Sequence, residues 1–400
     1  MVLQGKKIVL GMTGGVACYK VAELTRALVK AGASVQVVMT ASATQFITPV
    51  TMQALSGQTV YTDAWDSRIP NNMPHIDLTR DADAILIAPC STNFMAKLAN
   101  GLCDDLLSTL CIARPAHLPL LIAPAMNVEM WQNAATQRNV ATLRLDGLQL
   151  LGPAAGAQAC GETGYGRMLE PEELLEEMIA AFTPKVLAGK HLLITAGPTF
   201  EPIDPVRGIT NLSSGKMGYA IAEAAYRAGA QVTLVSGPVA MPAPYGVQRI
   251  SIQTAQQMHD AVMANLLTQR QDAFIAVAAV ADWRVANASD QKLKKNSAGD
   301  LPQLEFAQNP DILASVAAMD DAPYCVGFAA ESEQLLEYGA AKRLKKNVPL
   351  LVGNIGHQTF GKDDNELILF DEHGHHALPR ASKTALAAML ISELANRLPH

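Results

Sequence analysis

The chain has no CxxC pair, although six cysteines (Cys18, Cys90, Cys103, Cys111, Cys160, Cys325) are spread over its 400 residues. Thiols so placed in a chain this long read as reduced, as in a cytoplasmic protein. Positive charge is not in surplus: the formal net charge of −6 excludes general affinity for nucleic acid, and any basic patch has to be local. No uncharged apolar run is long enough to span a bilayer, since 106–126 is interrupted by Arg114, Pro115, Pro119 and Pro124. Lys6-Lys7 before an apolar run imitates a leader peptide, but Gly11, Gly14, Gly15 and Lys20 break that run too early. GxGxxG is absent, which leaves nicotinamide binding unsupported. A P-loop fails on spacing, because Gly208 is too far from Gly215-Lys216 and Met217 stands where Ser or Thr would bind magnesium.

Apolar residues are plentiful, at 49% against 17% charged, enough for large cores in two or three domains. The stretch 194–237 begins and ends with short apolar runs, stopped at Gly197-Pro198 and preceded by Gly229. Between them a loop rich in Gly, Ser, Thr and Asn leads through Gly215-Lys216 to Ala220, Ile221, Ala224, Ala225 and Ala228 at helical spacing. That pattern predicts strand, anion-binding loop, helix, strand. The helix N-terminus offers unpaired N–H groups and a positive dipole end to a phosphate. Residues 7–39 repeat it, with Gly14-Gly15 at the turn, Ala17, Val21, Leu24 and Leu28 as the helical stripe, and Gly32 as the stop. The expectation is α/β: two Rossmann-like domains with mainly parallel sheets, over 1–189 and 190–400. An acidic helix over 171–182, broken at Thr183-Pro184, lies before the boundary at 184–190.

Ligands in open α/β sheets bind beyond the carboxyl ends of the strands. Thr40, Ser42 and Thr44 follow the strand 35–39, where they can hold a phosphate or simply cap a helix. Strand 84–88 ends in Pro89-Cys90-Ser91-Thr92-Asn93, and strand 120–123 ends in Pro124-Ala125-Met126-Asn127. His75 precedes the strand at Ala84; a lone histidine is usually structural or exposed. Residues 156–166 are glycine-rich, too flexible for a core element, and read as a mobile flap around Cys160.

In the second half, 273–281 reads as a buried strand ending in Asp282-Trp283-Arg284, followed by a polar loop with Lys292, Lys294 and Lys295. Asn309-Pro310-Asp311 starts a helix, and strand 324–328 leads to Ala329-Ala330-Glu331. Lys342 and Lys346 share one helical face, either as a polyphosphate grip or as a solvated charged face. His373, His375 and His376 imitate a metal cluster, but DEHGHH belongs to an exposed hairpin turn, with no carboxylate or cysteine spacing to complete a site.

His75, the Asn93 loop, PAMNVEMW over 124–131 and the glycine-rich flap with Cys160 together resemble the flavin-dependent cysteine decarboxylases; PxMNxxMW is the specific part. Phe94 departs from the pattern, standing where the family usually has Thr. The resemblance implies a flavodoxin-like domain binding FMN, with Gly14, Gly15, Thr40, Ser42, Ser91, Thr92 and Asn93 as candidate contacts. It also implies His75 as acid/base beside the flavin, Asn127 on the substrate carboxylate, Met126 as a substrate contact, and Cys160 as late proton donor. Flavin suits the chemistry, because an amide-linked cysteine has no electron sink for decarboxylation until its thiol carbon is oxidised.

PVRGITNLSSGKMG over 205–218, AAVADW over 278–283, KLKK, NPDIL and GFAAE resemble phosphopantothenate–cysteine ligase. Over essentially its full length the chain is thus similar to the bacterial bifunctional coenzyme A biosynthesis family. The resemblance implies activation of phosphopantothenate by CTP, with Asn211 and Arg207 binding the acyl-cytidylate and Lys292 stabilising its formation. Ala278, Asp282, Asn309, Pro310, Asp311, Ile312, Phe328, Lys342 and Lys346 become nucleotide or substrate contacts, and Lys with Mg2+ neutralises the α-phosphate. It further implies a homo-oligomer, trimeric in the first domain and dimeric in the second, acting on small molecules with no nucleic-acid or membrane partner. Two other readings compete: a flavin-dependent cysteine decarboxylase with a non-catalytic nucleotide-sensing second domain, and a regulatory subunit without catalysis.

Overall fold

The two glycine-punctuated units are the nuclei of two separate sheets. The computed structural model describes residues 2–66, 68, 73–294, 303–331, 334–355 and 362–399, and the chain divides into units Met1–Ile179 and Ala180–His400. Lys295 of the basic loop lies outside the described residues.

The first unit runs β1 (Lys7–Met12), α1 (Cys18–Lys30), β2 (Ser34–Met39), α2 (Pro49–Ser56), α3 (Pro74–Arg80), β3 (Ala84–Cys90), α4 (Thr92–Asn100), α5 (Leu106–Ala113) and β4 (Leu120–Pro124). There follow α6 (Val128–Gln132), α7 (Ala134–Leu145), β5 (Gln149–Leu150), β6 (Ala154–Ala157), β7 (Thr163–Arg167) and α8 (Pro171–Phe182), the last of which runs across the boundary at Ile179. Among the described residues the main sheet has the order β2-β1-β3-β4-β5, parallel throughout. This is the flavodoxin-like doubly wound order, which reverses between β1 and β3 and opens a crevice there. β3 is buried at every position, as a strand covered on both faces must be. The α1 stripe Val21, Leu24 and Leu28 is buried, while Ala17 lies outside the helix as its N-cap. Phe94 is 2% exposed within the core under α4, which accounts for an aromatic at that position.

The second unit contains β8 (His191–Ala196), β9 (Phe200–Pro202), β10 (Gly208–Thr210), α9 (Lys216–Arg227), β11 (Gln231–Ser236), β12 (Gln248–Ser251), α10 (Ala255–Thr268) and β13 (Ala273–Ala276). It continues with β14 (Trp283–Val285), β15 (Phe306–Gln308), α11 (Ile312–Ala317), β16 (Tyr324–Glu331), α12 (Leu335–Lys346), β17 (Leu350–Ile355), β18 (Asp364–Asp371), β19 (Gly374–Ser382) and α13 (Lys383–Ala395). Its sheet order is β12-β11-β8-β13-β16-β17-β18-β19. The first six strands are parallel in the dinucleotide-fold order 3-2-1-4-5-6. β18 and β19 add an antiparallel hairpin that carries His373, His375 and His376 in exposed positions. Among the described residues no helix is long and apolar enough to cross a membrane.

Three expectations are corrected. The strand expected over 273–281 stops at Ala276, because threonine side chains from β8 and from the loop after it capture the backbone beyond it. Ala278 N–H donates to Thr195 Oγ1 at 3.3 Å and Ala281 N–H to Thr199 Oγ1 at 3.0 Å. The glycine-serine loop before α9 contains a short antiparallel hairpin, β9-β10, whose three-residue strands are too brief for an apolar period to reveal. The glycine-rich flap is likewise a paired hairpin, β6-β7. There Gly166 has φ +138°, and a Cβ on it would lie 2.4 Å from the Met126 carbonyl oxygen, so glycine permits the hairpin to sit against the chain after β4.

Candidate active sites

In the first unit a cavity of about 670 Å³ opens beyond the carboxyl ends of β1, β3 and β4. Gly14, Gly15, Ser91, Thr92, Met126, Asn127 and Cys160 all line it. Its floor is tied by a residue that sequence reasoning passed over. Buried Thr13 donates to the Pro89 carbonyl at 2.7 Å and accepts from Ser91 N–H at 2.9 Å, locking the turn after β1 to the end of β3. Ser91 caps α4 by accepting from Phe94 N–H at 3.3 Å, and Thr92 Oγ1 donates to Met126 Sδ at 3.1 Å.

Asn127 has its amide fixed. As N-cap of α6 it accepts Met130 N–H on Oδ1 at 2.9 Å, while Nδ2 donates to Glu129 at 3.0 Å and to Glu162 at 2.6 Å. Aspartate could cap the helix equally well but could not donate. Cys160, exposed in the hairpin, donates to Glu162 Oε2 at 3.5 Å. Lys20 also lines the cavity; it is 8% exposed and donates to the Met168 carbonyl at 3.3 Å and to Glu170 at 2.7 Å. That hydrogen bond holds the Glu170 carboxyl below its ordinary range.

Four candidates lie elsewhere. His75 sits half-buried on α3, and Asn93 is exposed on the first turn of α4. Thr40 accepts from Ala43 N–H at 3.3 Å, so its hydroxyl closes the local turn. Ser42 packs so closely on Gly14 that a Cβ there would meet its own at 2.6 Å. None of the four lines the cavity.

In the second unit two adjoining cavities, about 340 and 240 Å³, lie where the strand order reverses between β8 and β13. Ala278, Asp282, Phe328 and Lys342 line both. Asn211 and the 213–216 loop line the first, with Gly215 as N-cap of α9 at φ +75°. Asn309, Pro310, Asp311, Ile312 and Lys346 line the second. Asn211 Nδ2 donates to the Ala279 carbonyl at 2.9 Å and Asn309 Nδ2 to the Ala281 carbonyl at 2.8 Å, so both amides hold the loop that leaves β13. Lys342 contacts Glu331 at 3.2 Å, and Lys346 pairs with Asp311, the N-cap of α11. Burial pushes the Asp311 carboxyl up, but Lys346 and the Ala314 N–H outweigh it and leave it low.

Arg207 and Lys292 line neither cavity. Buried Asp204 pairs with Arg207 and accepts from the backbone N–H groups of Val206, Arg207 and Leu293 at 2.9, 2.8 and 3.2 Å. Led by the Arg207 contact, these bonds hold its carboxyl far below the usual carboxylate range. Arg207 also donates to the Leu293 carbonyl at 3.0 Å, which joins the β9-β10 hairpin to the loop carrying Lys292. The sequence reading missed Lys383, 8% exposed at the start of α13 and lining the first cavity with Lys216. Burial first, then the Lys216 charge, pushes its ammonium below the ordinary lysine range.

Fold and cavities agree with two family matches: the Flavoprotein family over residues 2–183, and the DNA/pantothenate metabolism flavoprotein C-terminal domain over 187–398. They define a two-unit α/β flavoprotein of pantothenate metabolism. The chain is 51% identical over 393 residues to the coenzyme A biosynthesis bifunctional protein CoaBC of Vibrio cholerae, covering 97% of this chain and 98% of that one. It is 47% identical to the CoaBC protein of Escherichia coli K12, covering 99% and 98%. The chain belongs to the coenzyme A biosynthesis bifunctional protein family. Among solved structures it is similar to the C-terminal domain of a CoaBC protein, with 36% identity, 53% of this chain and 97% of that chain covered, and a TM-score of 0.45. It is also similar to the FMN binding protein AtHal3, with 33% identity, coverage of 45% and 97%, and a TM-score of 0.41.

Proposed function

We propose that residues 190–400 ligate 4′-phosphopantothenate to cysteine through an acyl-cytidylate made from CTP, and that residues 1–189, with FMN bound, decarboxylate the product to 4′-phosphopantetheine. The observation that carries this reading is the end-to-end match to bifunctional relatives, with a cavity at the sheet reversal of each unit. The residues fit a flavin: a Cβ at Gly15 would meet only Pro89 at 3.9 Å, so the backbone is open to a cavity walled by Val16, Ala17, Met126 and Met130. Gly14, Gly15, Ser91 and Thr92 are the residues to hold it. A bound flavin supplies the two-electron acceptor that makes the cysteinyl carbon an electron sink and later returns those electrons. Asn127 Nδ2 then holds the substrate carboxylate until CO₂ leaves, and the Cys160 S–H supplies the proton when the enethiol is reduced.

In the second unit the amine of cysteine cannot displace oxide from a free carboxylate, so a mixed anhydride must form first. CTP binds as its magnesium complex, with Asp282 the carboxylate that both cavities share. Lys342 and Lys346 lie beside the nucleotide, Asn211 and Arg207 hold the acyl-cytidylate, and Lys292 meets the α-phosphate as pyrophosphate departs. The protein acts in the cytoplasm as a homo-oligomer, trimeric through its first domain and dimeric through its second. The position of His75 away from the cavity of its own chain supports a flavin site completed by another subunit. The test is cysteine-dependent pyrophosphate release with CTP against ATP, followed by CO₂ release from the FMN-loaded protein. Either activity missing overturns the bifunctional reading.

A further inference from the structure

The hairpin β6-β7 sets a carboxylate against two groups that the proposed decarboxylation needs. Glu162 Oε2 accepts from Asn127 Nδ2 at 2.6 Å and from Cys160 Sγ at 3.5 Å. The Asn127 contact and the hairpin that carries both residues are held in place. Asn127 Oδ1 is committed to capping α6, which leaves its Nδ2 a fixed direction. The hairpin is pinned by Val128 N–H donating to Gln158 Oε1 at 2.9 Å and by Met126 N–H donating to the Gly166 carbonyl at 2.9 Å.

This inference rests on the reading in which Asn127 Nδ2 holds the substrate carboxylate. The side chain of Glu162 is the same chemical group, seated on the same donor. The Asn127 Nδ2 amide carries two N–H groups, given to Glu129 at 3.0 Å and to Glu162 at 2.6 Å, so an entering substrate carboxylate must displace one of these two, and Glu162 is the one whose departure also moves the hairpin that bears Cys160. We infer that Glu162 is a positioning residue: it takes the carboxylate seat on Asn127 whenever the substrate's own carboxylate is absent, and its motion carries Cys160. Binding of the acid lifts Glu162 from Asn127 and turns the thiol away. Departure of CO₂ empties the seat, Glu162 returns, and Cys160, two residues along the same hairpin, comes back against the reaction centre. The thiol is thereby withheld before CO₂ loss and presented after it, the order a late proton donor requires.

The test compares one ligand that has the carboxylate, phosphopantothenoylcysteine, with one that lacks it, 4′-phosphopantetheine. Calorimetric titration of the full FMN-loaded chain is carried out in a His75→Asn background to stop turnover. Glu162→Gln keeps the shape and removes the charge; Glu162→Ala removes the group, and retained flavin absorbance reports that each variant is folded. Because wild-type protein must vacate the seat before the acid binds, both variants are expected to bind phosphopantothenoylcysteine roughly three- to tenfold more tightly. Binding of 4′-phosphopantetheine should be unchanged. With His75 intact, mass spectrometry should find a larger share of oxidised enethiol in the Glu162 variants. Equal shifts for both ligands, or no shift for the acid, overturn the inference. If the wild-type chain releases no CO₂, the decarboxylase reading fails, while the discrimination between the two ligands still decides whether a carboxylate competes with Glu162.

Discussion

The proposed ligase chemistry gives Asn211 and Lys292 different roles, one being a neutral amide fixed in the cavity wall and the other a cation on a loop outside it. Lys292→Gln should abolish acyl-cytidylate formation. Asn211→Asp should let it form yet slow its reaction with cysteine, since aspartate cannot donate to the Ala279 carbonyl and adds a charge beside the intermediate. Mass spectrometry of each variant with phosphopantothenate and CTP, before and after cysteine, reads the difference; abundant intermediate in the Lys292 variant would reverse the roles. Lys383 gives a second prediction. Its folded pKa is lowered, so between that value and the ordinary lysine value the unfolded chain binds more protons, and stability rises with pH across this alkaline window. Below it the burial penalty is constant. Lys383→Met should remove the slope in pH-dependent denaturation and weaken CTP binding about tenfold, the worth of one charge-assisted hydrogen bond.

At the scale of elements, the Gly166→Ala substitution probes the hairpin that carries Cys160. The added Cβ would lie 2.4 Å from a backbone oxygen, which no rotamer change relieves, and φ +138° strains any L side chain. A loss of about 1–3 kcal/mol is expected, read as a lower melting temperature together with weaker FMN binding. An unchanged protein would mean that the hairpin does not bear on Met126. Most strands were legible because buried parallel strands are continuous apolar runs ended by Gly or Pro. The run 273–281 misled because alanines and valines carry no mark of where the backbone leaves the sheet; Thr195 and Thr199, some eighty residues earlier, decide it. The cavity wall was legible where a motif is contiguous, as at Met126 and Asn127. Glu162, Lys20 and Lys383 were missed because an isolated charge acquires meaning only through a fold-dependent neighbour. The one signal available for Glu162 was a lone charged residue within the glycine-rich flap.

On the scale of the whole molecule, each unit has its own sheet and its own apolar core. One cluster packs on β1, β3 and β4, and two others lie on the opposite faces of the second sheet. A ligand that binds one folded unit stabilises that unit by RT ln(1 + [L]/Kd), about 2.7 kcal/mol at a hundred times Kd. For units of this size that corresponds to roughly 5–10 °C in melting temperature. Calorimetry of the full chain should therefore show two transitions. FMN should raise the one that belongs to the first unit and leave the other in place, and CTP with magnesium should do the reverse. Glu162→Gln should not change the response to CTP, nor Lys383→Met the response to FMN, because Glu162 bonds Asn127 in the wall of the first unit's cavity and Lys383 lines a cavity of the second unit. A single transition raised by both ligands would show that the two cores unfold as one, and the assignment of FMN to the first unit would then have to rest on flavin binding by variants at Gly15 and Thr92.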